Sequence, residues 1–250
     1  MAIKDIYTHG ETPQMISAFE KAQETFKYFW RELSWEYRRI VPALDVAYVK
    51  VIFTQEVEGD DHPVVEHMWI NDIGFDGEVI TGTLINDPYQ LTNVKNGDVV
   101  EVPLSQISDW LFAIRGKTYG GFTIHVLRSG MSDKERSEHD NAWGLDFGDY
   151  NDILLVYEQK EHPENLVEHP MSKNMKESLV NYIAQSPDIL TAKDEKGLTF
   201  LHKEVIAGNL SIVETLLEHR ANKEDMTNNG KTSLDIANQL GWEHLFSVLK

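Results

Sequence analysis

The chain has 250 residues, 41 Asp/Glu against 23 Lys/Arg, a formal net charge of −18 and no cysteine. That length can bury a real core in one large domain or two small ones, and the missing cysteine excludes disulfides, thiolate zinc sites and thiol nucleophiles. The acidity argues against nucleic acid and against an anionic membrane, both of which select a basic surface. Met1 to Gly10 is polar, with no apolar stretch of signal-peptide length. No window reaches the ~18 apolar residues of a membrane span, so a cytoplasmic protein is expected. The charge is uneven: residues 1–159 carry 13 Lys/Arg and 27 Asp/Glu, residues 160–250 carry 10 and 14.

Residues 13–41 read as one long amphipathic helix. Met15, Phe19, Ala22, Phe26, Trp30, Leu33, Tyr37 and Ile40 step by three and four and share a face. Thr12 is placed to cap it, Pro13 takes the first helical position, and Pro42 stops it. Strand-like segments follow. Val46 to Phe53 alternates, Glu56 to Asp61 is an acidic turn, and Val64 to Ile73 reads as a second strand. Glu78 to Ile85 reads as a third, with Gly82 marking a bulge. Turns at Asn86-Asp87-Pro88 and Asn96-Gly97-Asp98 lead into Val99 to Val102. Ile107 to Ile114 fits a strand or a short helix. In the same run of strand-like segments, Gly120-Gly121 breaks the chain before Phe122 to Leu127. Residues 129–152 are loop-rich and acidic, with a short helix near Asp133 to His139, and Ile153 to Glu158 reads as a last apolar strand. The pattern is α+β: a long N-terminal helix packed on a mostly antiparallel sheet.

Residues 160–173 are polar, carry Pro163 and Pro170, and read as a linker between a domain over 1–159 and a second over 174–250. The second is marked by a repeat. Asp194-Glu-Lys-Gly197-Leu-Thr199-Phe-Leu201-His202 recurs 33 residues later as Thr227-Asn-Asn-Gly230-Lys-Thr232-Ser-Leu234-Asp235, and Gly208 matches Gly241. Period and pattern resemble the ankyrin repeat. The resemblance implies a short all-α stack of two clear repeats. Leu179, Val180 and Ile183 give one face of a partial repeat before them. Phe200 and Ser233 replace the family's usual proline. Glu204 stands where a small alanine is usual, which puts tight helix packing there in question. Asp235 replaces the histidine. In this reading Thr199 and His202 tie the start of a helix to neighbouring backbone, so His202 is structural and not catalytic. A stack this short is expected to dock against the rest of the chain.

In the first domain, Glu66-His67-Met68-Trp69, Asn86-Asp87-Pro88, Gly97-Asp98, Ile107-Ser108-Asp109-Trp110 and Gly120-Gly121 form an ordered set. Together they resemble the bacterial family called domain of unknown function 2314, or YegJ-like, over residues 15–150. That family brings no activity with it. Glu66, His67, Trp69, Asp109 and Trp110 form a candidate pocket, with Glu66, His67 and Asp109 as an acid/base set. Against this, Glu66 and His67 are strand neighbours that face opposite ways, and both tryptophans suit a core. His62 and His67 lack the spacing of a zinc helix motif, and the Asp-rich stretch from Asp140 lacks the glycine and terminal Glu of a calcium hand. No catalytic residue, metal or cofactor is expected.

The sequence therefore predicts a non-enzymatic protein-binding module, more narrowly a bacterial immunity protein that neutralises a basic toxin. An acidic surface would steer such a partner. The expected contact residues are the turn Glu56, Glu58, Asp60 and Asp61, the loop positions Glu135, Glu138, Asp140, Asp146 and Asp149, and the repeat tips Lys193, Glu195, Lys196, Asn228, Asn229 and Lys231. The alternatives are an adaptor or effector chaperone and, in another class, a small-ligand-binding or enzymatic N-terminal domain.

Overall fold

A computed structural model describes residues 11–59 and 62–250. They form two compact units. One contains the described residues up to Phe29 together with Ile40–Leu155, the other Trp30–Arg39 together with Val156–Lys250. Among the described residues, no helix is long and apolar enough to cross a membrane.

Helix α1, Pro13–Glu36, contributes to both units. The Thr12 hydroxyl accepts the Met15 N–H at 3.2 Å and caps its start. Phe19, Ala22, Phe26, Phe29 and Leu33 are buried along one stripe. The helix stops at Glu36, short of the expected 41. Tyr37 and Ile40 are 58% and 99% exposed and do not belong to the stripe. In the last turn the N–H groups of Arg38 and Arg39 bond three residues back, to the carbonyls of Trp35 and Glu36. That tightened turn ends the helix before Val41, whose position ahead of Pro42 disfavours helical backbone.

The first unit is built on a six-stranded sheet, with every neighbouring pair antiparallel. The strands are β1 Val46–Gln55, β2 Val64–Phe75, β3 Val79–Leu84, β4 Val99–Pro103, β5 Ile107–Ile114 and β6 Lys117–Gly120, in the order β4-β3-β2-β1-β5-β6. Gly82 is in regular register with Val100. The bulge lies in the partner strand, between Asn71 and Gly74. A Cβ on Gly82 would sit 2.8 Å from the Asn71 carbonyl oxygen, so the glycine permits the close approach of the bulged strand.

β5 is a strand with all eight residues buried. One face meets α1: the Trp110 indole N–H donates to the Ala22 carbonyl at 3.1 Å, and Phe29 lies against Trp110 and Phe112. The other face meets helix α2, Phe122–Ser129, through Asp109. Phe122 to Leu127 is thus helical, against expectation. Asp109 accepts the Phe122 and Thr123 N–H groups at 2.9 and 2.8 Å, which caps the helix from a distant strand and overrides its β-branched composition. Helix α3, Asp133–Trp143, contains the expected short helix, opened by a reciprocal Ser132–Glu135 capping box. Ile153 to Glu158 is extended but is not a strand; one N–H, from Gly120, reaches the Leu154 carbonyl.

The second unit adds helices α4 Pro170–Asn174, α5 Lys176–Gln185, α6 Phe200–Ile206, α7 Leu210–Glu218, α8 Ser233–Leu240 and α9 Phe246–Leu249. Its core takes Leu179 and Ile183 from α5, Leu201 and Val205 from α6, Ile212, Val213 and Leu216 from α7, and Ile236, Ala237 and Leu240 from α8. Residues 160–173 contain the single turn Pro163–Leu166 and the start of α4, with Asn165, Glu168, His169 and Ser172 buried.

Candidate functional site

The 33-residue recurrence reappears in the second unit as geometry. Gly197 and Gly230 take φ of +76° and +72°, Gly208 and Gly241 take +69° and +66°. Thr199 and Thr232 each open a helix with a capping box. In the first, the Thr199 N–H donates to His202 Nδ1 at 3.1 Å while His202 Nε2 reaches the Asp225 carbonyl at 3.1 Å. In the second, the Thr232 N–H donates to the Asp235 carboxylate at 2.9 Å. Asp235 thus performs the local half of the histidine's work and lacks the second ring nitrogen that reaches the following loop.

Glu204 occupies the position where a small residue would let the helices close up. Its side chain is fully buried and accepts a two-pronged bond from Arg38, at 2.8 and 3.3 Å, and the Asn209 amide at 2.7 Å. Asn209 in turn accepts the Trp35 indole N–H at 3.1 Å. Arg31, 1% exposed, donates to the carbonyls of Asn165, Leu166 and Val167, and its guanidinium lies 5.3 Å from the Trp242 ring. Glu32 is bridged by His169 at 3.2 Å and Arg39 at 3.0 Å. Burial works to raise the Glu32 pKa, but these two partners outweigh it and hold the carboxyl below its usual range. Glu168 accepts the Ser211 N–H at 2.5 Å near the start of α7 and the Ser172 hydroxyl at 2.6 Å. The segment Trp30–Arg39 is therefore an integral layer of the helical unit.

Beside this layer lies a groove of about 510 Å³, lined by Trp35, Arg38 and Arg39, by Met171, Met175 and Leu179 with their neighbours on α4 and α5, and by Phe200, Lys203 and Ile212. Sequence periodicity pointed to the inner faces of the repeats and missed this feature. It is built partly from α1, which carries no repeat signal.

The expected contact residues have diverse fates. Glu56 and Glu58 are exposed in the β1–β2 connection, while Asp60 and Asp61 lie outside the described residues. Asp140 holds the buried Arg128 at 2.7 Å, and Glu135 closes a capping box. Asp146 and Asp149 accept the N–H of the residue two further on. Glu138 pairs with Lys134 on the surface at 3.5 Å. The repeat tips bind each other: the Lys193 ammonium donates to the Met226 carbonyl, the Asn228 amide to the Glu195 carbonyl, and the Asn228 N–H to the Lys196 carbonyl. Lys231 reaches Gln239 at 3.3 Å, and Asn229 is exposed between them.

In the first unit the candidate pocket residues serve different partners. Glu66 accepts the N–H groups of Tyr89, Gln90 and Leu91. Burial opposes its ionisation, but these donors win and lower its pKa. His67 stacks on Phe19 at 4.9 Å, and its buried Nδ1 has no hydrogen-bond partner. Burial, aided by the charge of Lys50, pushes its pKa down to about 4. Trp110 is fully buried; Trp69 is half-buried, with the Lys50 ammonium 5.2 Å from its ring. Lys50, which sequence reasoning passed over, is the cross-strand partner of both Trp69 and Asp109. It bonds Thr123 at 3.3 Å, and burial lowers its pKa while Asp109 partly restores it. Burial lifts the Asp109 pKa against the hydrogen bonds of Thr123 and the charge of Lys50.

Comparison with known proteins gives three results. The model of a family described as an uncharacterized protein conserved in bacteria, DUF2314, matches residues 12–147. A protein of Neisseria meningitidis serogroup B whose name includes the words ankyrin repeat protein is 53% identical over 233 residues, covering 93% of this chain and 91% of its own length. The uncharacterized protein YegJ of Escherichia coli K12 is 37% identical over 67 residues, which are 27% of this chain and 44% of that protein. No solved structure matches the chain.

Proposed function

The chain belongs to the bacterial DUF2314 family through residues 12–147, and on that premise we propose that its second unit is a short ankyrin-type stack that binds another protein. The recurrence of capped helix starts at Thr199 and Thr232, each preceded two residues earlier by a left-handed glycine, carries this reading. The name of the Neisseria relative supports it. Repeat stacks of this kind present turn tips and helix faces to partners and perform no chemistry of their own.

Our narrower reading is a cytoplasmic immunity protein for a basic toxin. Its support is the net charge of −18, concentrated in the first 159 residues, which would raise the association rate of a basic partner. We read the first unit as non-catalytic, because Glu66 is committed to the amides of residues 89–91 and Asp109 to those of Phe122 and Thr123. The test is a pull-down of the tagged full chain from its host lysate at low and high salt. Stoichiometric, salt-sensitive recovery of one basic protein is expected. Recovery of an acidic partner would remove the toxin reading, and recovery of no protein would remove the binding reading itself.

A further inference from the structure

We propose that the groove of the second unit docks an apolar segment of a partner protein whose flanking side chains are carboxylates. The proposal deepens the protein-binding reading above and rests on it.

The groove combines two properties. Its wall includes Leu179 and the flexible thioether of Met175, and its mouth is apolar: Met175 is 37% exposed and Tyr182 51%. Methionine side chains adapt to differently shaped anchors, and a volume of about 510 Å³ is that of a site that swallows a few large side chains. The second property is charge. Arg38, Arg39 and Lys203 line the groove, and among the described residues lining it there is no Asp or Glu. That is a reversal in a chain with 41 acidic against 23 basic residues.

Each cation is braced by an acid that does not itself line the groove. Glu204 holds Arg38, Glu32 and Glu36 hold Arg39, and Asp194 holds Lys203 at 2.9 Å. Bracing fixes the direction of the side chain without exhausting its donors. A guanidinium has five N–H groups and an ammonium three. A carboxylate arriving over the apolar wall would therefore meet ordered donors in a poorly hydrated place, where charge-assisted bonds are strong. A basic segment would meet three like charges at the same place.

The experiment uses the full chain and two labelled amphipathic peptides of the same Leu/Phe pattern, one with Glu and one with Lys at the polar positions. Fluorescence anisotropy should show saturable binding of the Glu peptide, weakened by salt. Lys203→Glu and Met175→Glu, both at partly exposed positions, should weaken it about tenfold or more while leaving the circular dichroism spectrum unchanged. Equal binding of the Lys peptide, or native affinity in both variants, would overturn the proposal. So would saturable binding of dodecanoate with neither peptide bound, since that assigns the groove to a small amphiphile. If the full chain holds a protein partner that both variants still bind normally, the groove proposal fails and the protein-binding reading stands. If neither peptides nor any protein bind, both fail.

Discussion

The carboxylate of Glu204, with no solvent exposure, is gripped by the two terminal nitrogens of Arg38 from the turn that ends α1. Glu204 replaces the small residue that its repeat position favours, and the replacement creates the socket that receives Arg38 and, through Asn209, Trp35. Arg38→Ala leaves a buried carboxylate without its cation. We expect a loss of about 2–3 kcal/mol in urea unfolding of the second unit, discounted from the fully buried case because Arg38 is partly open to solvent. The double variant Arg38→Ala/Glu204→Ala should recover part of that loss. Additive losses in the cycle would mean that the pair contributes little.

The two capped helices give a paired comparison. Thr199→Ala and Thr232→Ala each remove the hydroxyl that accepts a helix N–H. Each should cost about 1 kcal/mol, with Thr199 the larger because it is buried. Asp235→Asn keeps an acceptor for the Thr232 N–H and should lie within about 0.5 kcal/mol of the native chain.

Two glycines separate backbone strain from steric contact. At Gly230, φ is +72° and nothing lies within 4 Å of an added Cβ, so Gly230→Ala should cost only the left-handed backbone, about 1–2 kcal/mol. At Gly208, φ is +69° and the Cβ would meet the Trp242 ring at 2.5 Å. Gly208→Ala should therefore cost more, about 2–4 kcal/mol, and displace the Trp242 emission maximum. Equal losses at the two sites would contradict the packing described at Trp242.

Acid should weaken the first unit before its carboxylates titrate. His67 and His125 are both pushed down to about 4, His67 by burial and then Lys50, His125 by burial and then Arg128. In the unfolded chain both regain the ordinary imidazole value, about 6.5. Between those values the unfolded state binds more protons than the folded one, so stability falls as pH drops from about 6.5 towards 4. The ceiling is about 3 kcal/mol for each group. His67→Phe keeps a ring against Phe19 and removes one titration. Its Tm should decline less steeply over this window than that of the native chain, and a parallel decline would show that His67 titrates normally in the folded state.

Much of the architecture was legible because local signals agreed. Thr12-Pro13 and the Phe19-to-Leu33 stripe fixed the start and buried face of α1, and alternation placed β1 to β3. The misses share a physical cause: information carried by distant residues. Asp109 caps α2 from the sheet, so Phe122 to Leu127 looked like strand in its own sequence. β5 is covered on both faces and has no alternation to read. Arg38 and Arg39 read as suiting the helix dipole, when their side chains complete a unit whose other members come more than a hundred residues later. The acidic loop was offered as a contact surface, yet Asp140 is spent on Arg128 and Glu135 on a cap. Composition counts charges and cannot tell which of them are already engaged.

The ancestry of the second unit's inner layer has a kinetic corollary. Arg31 meets the Asn165 carbonyl across 134 residues, Arg38 meets Glu204 across 166, and Trp35 meets Asn209 across 174. On the ribosome, Trp30–Arg39 emerges long before the helices that enclose it. The first unit can mature while this segment waits with its indole and guanidinium groups unmatched. The second unit closes only after nearly the whole chain has been made. A nascent chain stalled in the repeats would carry Trp35 uncovered, the kind of sticky intermediate that chaperones shield.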